Sequence, residues 1–584
     1  YVSKTYQLGV EYIVFGKPSV YGGRFQFAHP EMEEATSLQL NEMGMQPYYI
    51  TTERMKNGGI TSRAIEKLTK TLIARLPQGS LPETLPPFIT QPLHLLSREA
   101  AFHGIHYPHS LDELQRAQVR LKFEELFYVQ LNILRYAHDR RRKYSGYRFH
   151  QVGQVFHQFY ENNLPFALTG AQKRVMHEIR ADMDSGKQMN RLLQGDVGSG
   201  KTLVALMTML IAIGNGFQAR IMAPTEILAE QHFVTIKEFL HDMPVEVALL
   251  TGVVKGKRRQ TLLERLAKGE INILVGTHAV IEDTVQFARL GLAVVDEQHR
   301  FGVAQRARLW AKSEQPPHIL VMTATPIPRT LAMTIYGDLE VSVIDELPPG
   351  RKPIETLHKY DTQITSLYQG IRQQIEQGRQ VYVVFPLIKE NEKNDLKDLE
   401  KGYENLCEIF PQYAISKVHG KLKPAEKEEE MRKFVQGETQ ILVATTVIEV
   451  GVNVPNASVM VIMDAQRFGL SQLHQLRGRV GRGAKQSYCI LVTGYKLSEE
   501  TRKRIDIMCE TNDGFRIAEA DLKLRGPGDL EGTQQSGIAF DLKIANIARD
   551  GQLVQMAREV AQKIIESDPL GENPAHQMLW QRLK

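Results

Sequence analysis

Cysteine is nearly absent from this chain of 584 residues: Cys407, Cys489 and Cys509 are the whole supply, and no two form a CxxC pair. That excludes a disulfide framework and a cysteine-built zinc site, and it suits a reducing cytosol. Long apolar runs are missing as well. No stretch reaches the roughly 18 residues that a membrane-crossing helix needs, and the first twenty residues lack the basic, apolar, small-residue order of a signal peptide. A strong charge of either sign is also lacking. The net charge of +5 is too dilute over this length to establish an anionic partner by itself. No short-period repeat or low-complexity tract interrupts the chain. It opens at Tyr1, without a methionine, inside a stretch that reads as strand, which predicts a fragment whose upstream portion is missing.

What is present is apolar residue, 42% of the chain, enough for three or four cores at about 100 to 200 residues per domain. Residues 1–58 alternate apolar and polar in short runs around Gly and Pro ("VEYIVFGKPSVYGGRFQFAHPE"), the pattern of a small, incomplete β module. Residues 59–150 turn helical. A long helix is predicted to open on Ser110 as N-cap, with Leu111, Leu114, Leu121, Phe123 and Leu126 on its apolar face. From about 151 to 348 five apolar runs ("RLLQG", "ARIMAPT", "INILVGTHAV", "LAVVDEQH", "HILVMTATP") alternate with helical stretches. That is the signature of a parallel sheet with helices on both faces. The pattern recurs over 349–495 ("RQVYVVFPLI", "AISKVHGKL", "QILVATTVIEVG", "SVMVIMDA", "YCILVT"), after the proline-rich linker "DELPPGRKPIE". Residues 496–584 form a C-terminal region of helices.

The chemistry begins at "LLQGDVGSGKT". Gly195-x4-Gly200-Lys201-Thr202 stands after a strand and before a helix, the context in which such a loop cradles phosphates. Backbone N–H groups of Gly195, Asp196, Val197, Gly198, Ser199 and Gly200 converge on the β- and γ-phosphates. Lys201 adds charge to those phosphates, and the Thr202 hydroxyl is suited to Mg²⁺. About a hundred residues on, "LAVVDEQH" ends a buried strand in Asp296, suited to hold Mg²⁺, and Glu297, suited to activate water. Alone, the loop is a glycine-rich turn and the acids a solvated strand end. Together they point to hydrolysis of a nucleoside triphosphate, ATP, with Mg²⁺. "PFALTGAQ" places Phe166 and Gln172 where a motor ATPase stacks and reads adenine; packing and helix capping is the other reading.

Three further motifs carry a resemblance. "TATPIPRT" (323–330), "VATTVIEVGVNVP" (443–455) and "QLHQLRGRVGRG" (472–483) are similar to motifs of superfamily 2 helicases. In that family Gln475, Arg479 and Arg482 fit QxxGRxGR, whose arginines face the γ-phosphate across a cleft, at ~10³ to 10⁵ in rate. "APTEILAEQ" (223–231) and "GTHAVI" (276–281) resemble the family's strand-tracking loops, or are ordinary βα loops. "ETNDGFRIAEADLKLRGPGDLEGTQQSG" (510–537) resembles the helical hairpin and loop shared by the RecG family of branch-migration helicases and the transcription-repair coupling factor, with Arg516, Arg525, Gly526, Gly528 and Gln534 at matching positions. The first 150 residues and "PLIKENEKNDLKDLEKGYENL" (386–406) resemble RecG and not the coupling factor. Asn453 stands where the family more often has Asp.

The resemblance implies an α/β fold: two tandem RecA-like parallel-sheet motor domains, a partial OB-like wedge and helical linker before them, a helical hairpin after. It implies an ATP-dependent double-stranded DNA translocase of recombination and repair, regressing stalled forks and branch-migrating Holliday junctions. A coupling-factor-like remodeller of protein–DNA complexes is the alternative. The partners implied are branched DNA and single-stranded DNA-binding protein, for a monomer in the bacterial cytoplasm, associated with the nucleoid. Tyr21 and Phe25, in the expected wedge hairpin, either stack on bases at ~1 to 3 kcal/mol each or pack in a core.

Overall fold

The computed structural model describes residues 7–15, 18–21, 24–27, 31–34, 47–143, 145–296, 315–323, 326–328, 332, 339–350, 352–386, 392–445, 454–481, 483, 485–524, 542–547 and 549–583. The chain divides into two compact units. One holds Tyr1–Tyr128, Leu542–Ala545 and Gln552–Lys584; the other holds Val129–Asp541 and Asn546–Gly551. The region 496–584 has residues in both units.

In the first unit, strands β1 (Tyr12–Phe15) and β4 (Glu31–Glu34) pair antiparallel around the hairpin of β2 (Pro18–Tyr21) and β3 (Arg24–Phe27). No barrel closes among its described residues. The long helix runs Leu111–Lys143, and Ser110 caps it, Oγ accepting from Glu113 N at 3.1 Å. The expected apolar face needs correction at its start. Leu111 is 55% exposed, Leu114 and Leu121 are half-buried, and Phe123 and Leu126 are fully buried. At the first turn the helix still faces water. Deeper along it, the buried Arg120 guanidinium pairs with Glu83 and, at 2.6 Å, with Glu124. The C-terminal segment is tied on by carboxylates. Glu125 accepts from the backbone N–H groups of Lys543, Ile544 and Ala545, and Glu124 pairs with Arg582 at 3.1 Å.

The second unit contains two parallel sheets. The seven-stranded sheet has the order β11 (Glu340–Ile344), β5 (Asn190–Gly195), β10 (His318–Thr323), β9 (Leu290–Asp296), β6 (Gln218–Met222), β8 (Ile273–Gly276), β7 (Val247–Leu250). The six-stranded sheet has the order β12 (Glu355–Tyr360), β17 (Tyr488–Thr493), β16 (Ala457–Ile462), β13 (Gln380–Phe385), β15 (Ile441–Thr445), β14 (Ile415–Val418). Central strands are covered on both faces and so read as unbroken apolar runs. β5, β6, β13 and β16 are buried at every residue. The helix Lys201–Gly214 lies under the first sheet, with Leu203 through Ala212 buried. Truncating one of its leucines to alanine would cost ~2 to 5 kcal/mol. Among the described strands of these two sheets, β7, β11 and β12 were not visible in the sequence. All three are sheet edges.

Candidate functional site

β5 ends at Gly195 and the chain turns through residues 196–200 into the helix Lys201–Gly214. The turn needs left-handed backbone, supplied by Gly198 (φ 77°) and Gly200 (φ 88°); a Cβ at Gly200 would also overlap the Gln172 amide. Lys201 lies along the loop, Nζ donating to the carbonyls of Gly195 at 2.7 Å and Asp196 at 2.9 Å. The Ser199 hydroxyl is 1% exposed and meets no acceptor or donor among the described residues. A buried orphan hydroxyl, a lysine amine and a helix N-terminus together suit an anionic triphosphate.

Gln172 is fully buried. Its Oε1 accepts from Thr169 N in a capping box, and its Nε2 donates to Ser199 O at 3.0 Å. Oε1 thus caps its own helix, in line with the capping reading of that residue, and Nε2 braces the phosphate loop, a contact that the sequence did not reveal. Phe166 packs, half-buried, against the domain core, in line with the packing reading of that residue.

Asp296 closes β9, which is two strands from β5 across β10, roughly 10 Å at ordinary strand spacing. Its Oδ2 accepts from His232 Nε2 at 2.8 Å; both residues are buried. His232 belongs to the helix Glu226–Phe239, which opens on Thr225 of the "APTEILAEQ" loop. A hydrogen-bonded carboxylate is fixed in orientation, as a metal ligand requires. No group of three or more His, Cys, Asp or Glu gathers among the described residues. Mg²⁺ needs no such cage, since it is usually held by one or two protein groups with waters and phosphates. Thr202 and Asp296 fit that requirement.

The second sheet meets this loop through the helix Leu470–Arg477 and the turn after it. A Cβ on Gly478 would lie 2.9 Å from Val197 Cγ2, so the segment "QLHQLRGRVGRG" (472–483), which resembles helicase motif VI, rests directly against the phosphate loop. His474 Nε2 donates to Asp196 Oδ1 at 2.8 Å. Burial alone would raise the Asp196 carboxyl, but the His474 bond, the Val197 N–H and nearby Lys201 hold it below its ordinary range. Gln475 and Arg479, half-buried, flank Gly478. Glu297, Arg482, Asn453, Arg525 and Gln534 lie outside the described residues, as does the side chain of Tyr21. Arg516 is exposed on the helix Gly514–Leu524, whose first turn Asp513 caps. Phe25 is 82% exposed on β3. His232, His474 and Arg477 were missed, because nothing in local sequence signals a partner far along the chain.

Three family models match: "DEAD/DEAH box helicase" over 169–334, "Helicase conserved C-terminal domain" over 362–484, and "ATP-dependent DNA helicase RecG, domain 3, C-terminal" over 511–584. Curated proteins named "ATP-dependent DNA helicase RecG" are similar over most of the chain. The one from Synechocystis is 48% identical over 90% of this chain, and that from Bacillus subtilis 48% over 86%. The one from Streptococcus pneumoniae is 44% identical over 99%. The chain spans 62%, 74% and 84% of those three proteins' lengths, respectively. A solved structure of RecG bound to a three-way DNA junction superposes with a TM-score of 0.70 at 39% identity, covering 93% of this chain and 70% of that one.

Proposed function

This chain belongs to the RecG family of ATP-dependent DNA helicases, and from that premise we propose that it is an ATP-driven motor on double-stranded DNA that regresses stalled forks and branch-migrates Holliday junctions. The observation that carries the reading is the seat of motif VI on the phosphate loop, Gly478 against Val197 and His474 on Asp196. Hydrolysis in a cleft with one wall from each sheet depends on cleft closure, and closure moves the DNA contacts of one sheet relative to those of the other.

In this reading Lys201 turns from the loop carbonyls to the phosphates, while the loop N–H groups hold the phosphate oxygens. Thr202 and Asp296 hold Mg²⁺, which neutralises charge on the phosphates when bound. Glu297 takes the proton of the attacking water, and Gln475, Arg479 and Arg482 stabilise the transferring phosphoryl group from the opposite wall. Phe166 and Gln172 lie on the adenine side of the loop. The segments 223–231 and 276–281, which the structure gives as helix starts after strands, follow the duplex backbone, Arg516, Arg525 and Gln534 pass the stroke to it, and exposed Phe25, with Tyr21 on the same hairpin, meets bases at the branch point. The relative bound to a three-way junction supports branched DNA as the partner. The same reading has the protein act as a monomer at the nucleoid, with single-stranded DNA-binding protein as a further partner.

The test is ATP hydrolysis measured side by side with forked DNA, linear duplex and single strands. Forked DNA is expected to stimulate most. Equal stimulation by linear duplex would instead favour a translocase that clears proteins from DNA.

A further inference from the structure

The Asp196 carboxylate is shared. Its Oδ1 accepts from Val197 N at 2.7 Å and from His474 Nε2 at 2.8 Å. On the other edge of the His474 ring, which is 4% exposed, Nδ1 faces Arg477 Nη2 at 3.1 Å. A guanidinium offers only donors, so Nδ1 accepts and the ring proton sits on Nε2, aimed at Asp196. Arg477 is itself buried, and its Nη1 donates to the carbonyls of Met508 and Thr511, each at 2.8 Å. Those carbonyls close the helix Glu499–Glu510, where unsatisfied acceptors and the helix dipole both favour a cation. A continuous line of hydrogen bonds thus runs from the phosphate loop, through one imidazole, to the end of a helix in the C-terminal pair.

The second helix of that pair touches the same ring. It begins at Gly514, where a Cβ would lie 2.5 Å from His474 Nε2, 2.6 Å from Pro326 Cγ and 3.0 Å from Asp196 Oδ2. No side chain fits at this meeting of phosphate loop, "TATPIPRT" segment, motif VI and C-terminal helix. Gly514 does not have a positive φ, so the requirement there is space, not conformation.

We infer that His474 is a positioning residue: it registers the state of the phosphate loop through Asp196 and passes it to the helices 499–510 and 514–524 through Arg477 and the Gly514 contact. Lys201 holds the Asp196 carbonyl in the structure. When that amine turns to phosphate, the Asp196 peptide is released, its carboxylate shifts against the imidazole, and the guanidinium that grips the helix end follows. The inference rests on the proposed reading of the chain as an ATP-driven DNA motor.

The experiment measures ATP hydrolysis and fork regression on one forked substrate, as ATP consumed per fork converted, with melting temperature alongside. His474→Phe keeps a ring and loses both hydrogen bonds; His474→Gln returns a donor at the reach of Nε2; Gly514→Ala forces the joint from the opposite side. His474→Phe is expected to raise ATP per fork about tenfold, inside the ~5- to 150-fold range of ordinary coupling, with melting unchanged to about 2 °C. Gln should recover much of the loss, and Gly514→Ala should move the ratio in the same direction, which keeps the test decisive if the Phe variant fails to fold. An unchanged ratio, or activities that fall together with the melting temperature, would overturn the inference, as would a Gln variant no better than Phe. A parent protein without DNA-stimulated hydrolysis overturns the motor reading and this inference with it; an active parent with an unmoved ratio overturns the inference alone.

Discussion

Lys201 shows how one residue separates the two activities of a motor. Its amine donates to the loop carbonyls of Gly195 and Asp196, and on the proposed reading it turns to phosphate of ATP, not of DNA. Lys201→Ala should therefore cut hydrolysis by ~10² to 10³, the usual loss for a group that stabilises transition-state charge, while junction affinity stays near the parental value. Gel-shift and ATPase assays on the same preparation check this; equal loss of both in a folded variant refutes it. His232 makes a different prediction. It touches Asp296 from the helix Glu226–Phe239, so on the proposed reading His232→Leu leaves a metal carboxylate unoriented. The Mg²⁺ concentration for half-maximal activity should rise ~10- to 100-fold, and Mn²⁺ binding followed by electron paramagnetic resonance should weaken in parallel.

At the scale of elements, one buried carboxylate joins the end of one C-terminal helix to the start of the next. Asp568, 5% exposed, has Oδ2 accepting from Trp580 Nε1 at 2.8 Å and His576 Nδ1 at 3.1 Å, while Oδ1 takes the N–H groups of Glu572 and Asn573. Burial would raise this carboxyl, but the Trp580, Asn573, His576 and Glu572 donors outweigh it and hold it below its ordinary value of 3.8. A depressed folded-state value gives stability that is present above the unfolded value and lost as pH falls through the folded one. The melting-temperature gap between the parent and Asp568→Asn should thus be full at neutral pH and shrink as pH drops below about 4. A gap independent of pH down to 2 would contradict the assignment. Elements also explain what the sequence concealed. Strands such as β9 and β16, buried between two helix layers, had no choice but continuous apolar runs. β7, β11 and β12 are edges with partly exposed residues, and β12, "ETLHKY", reads as linker because its ladder covers one side only. The same contrast holds for the site. Its loop is legible because the residues that form it are consecutive. The Asp196–His474 contact spans 278 positions and His232–Asp296 spans 64, and no local pattern encodes such a partner.

For the whole molecule the energetics favour exchange over unwinding. At a homologous fork each base pair broken, at a mean stacking free energy of ~1.4 kcal/mol, is replaced by one formed, so the reaction is nearly neutral and ATP chiefly supplies direction. On the proposed reading, a motor built from two sheets around one nucleotide cleft then needs a stroke more than a large force, and the hairpin with exposed Phe25, acting as a wedge, would need only to keep strands apart. The most direct measurement is ATP-dependent conversion of a synthetic fork into a four-way junction by this chain, with homologous arms in one substrate and heterologous arms in the other. Homologous arms should regress, heterologous arms should regress far more slowly, and Lys201→Ala should convert neither. Four-way product formed without ATP or by Lys201→Ala, or no product from homologous arms while forked DNA still stimulates hydrolysis, would contradict the account.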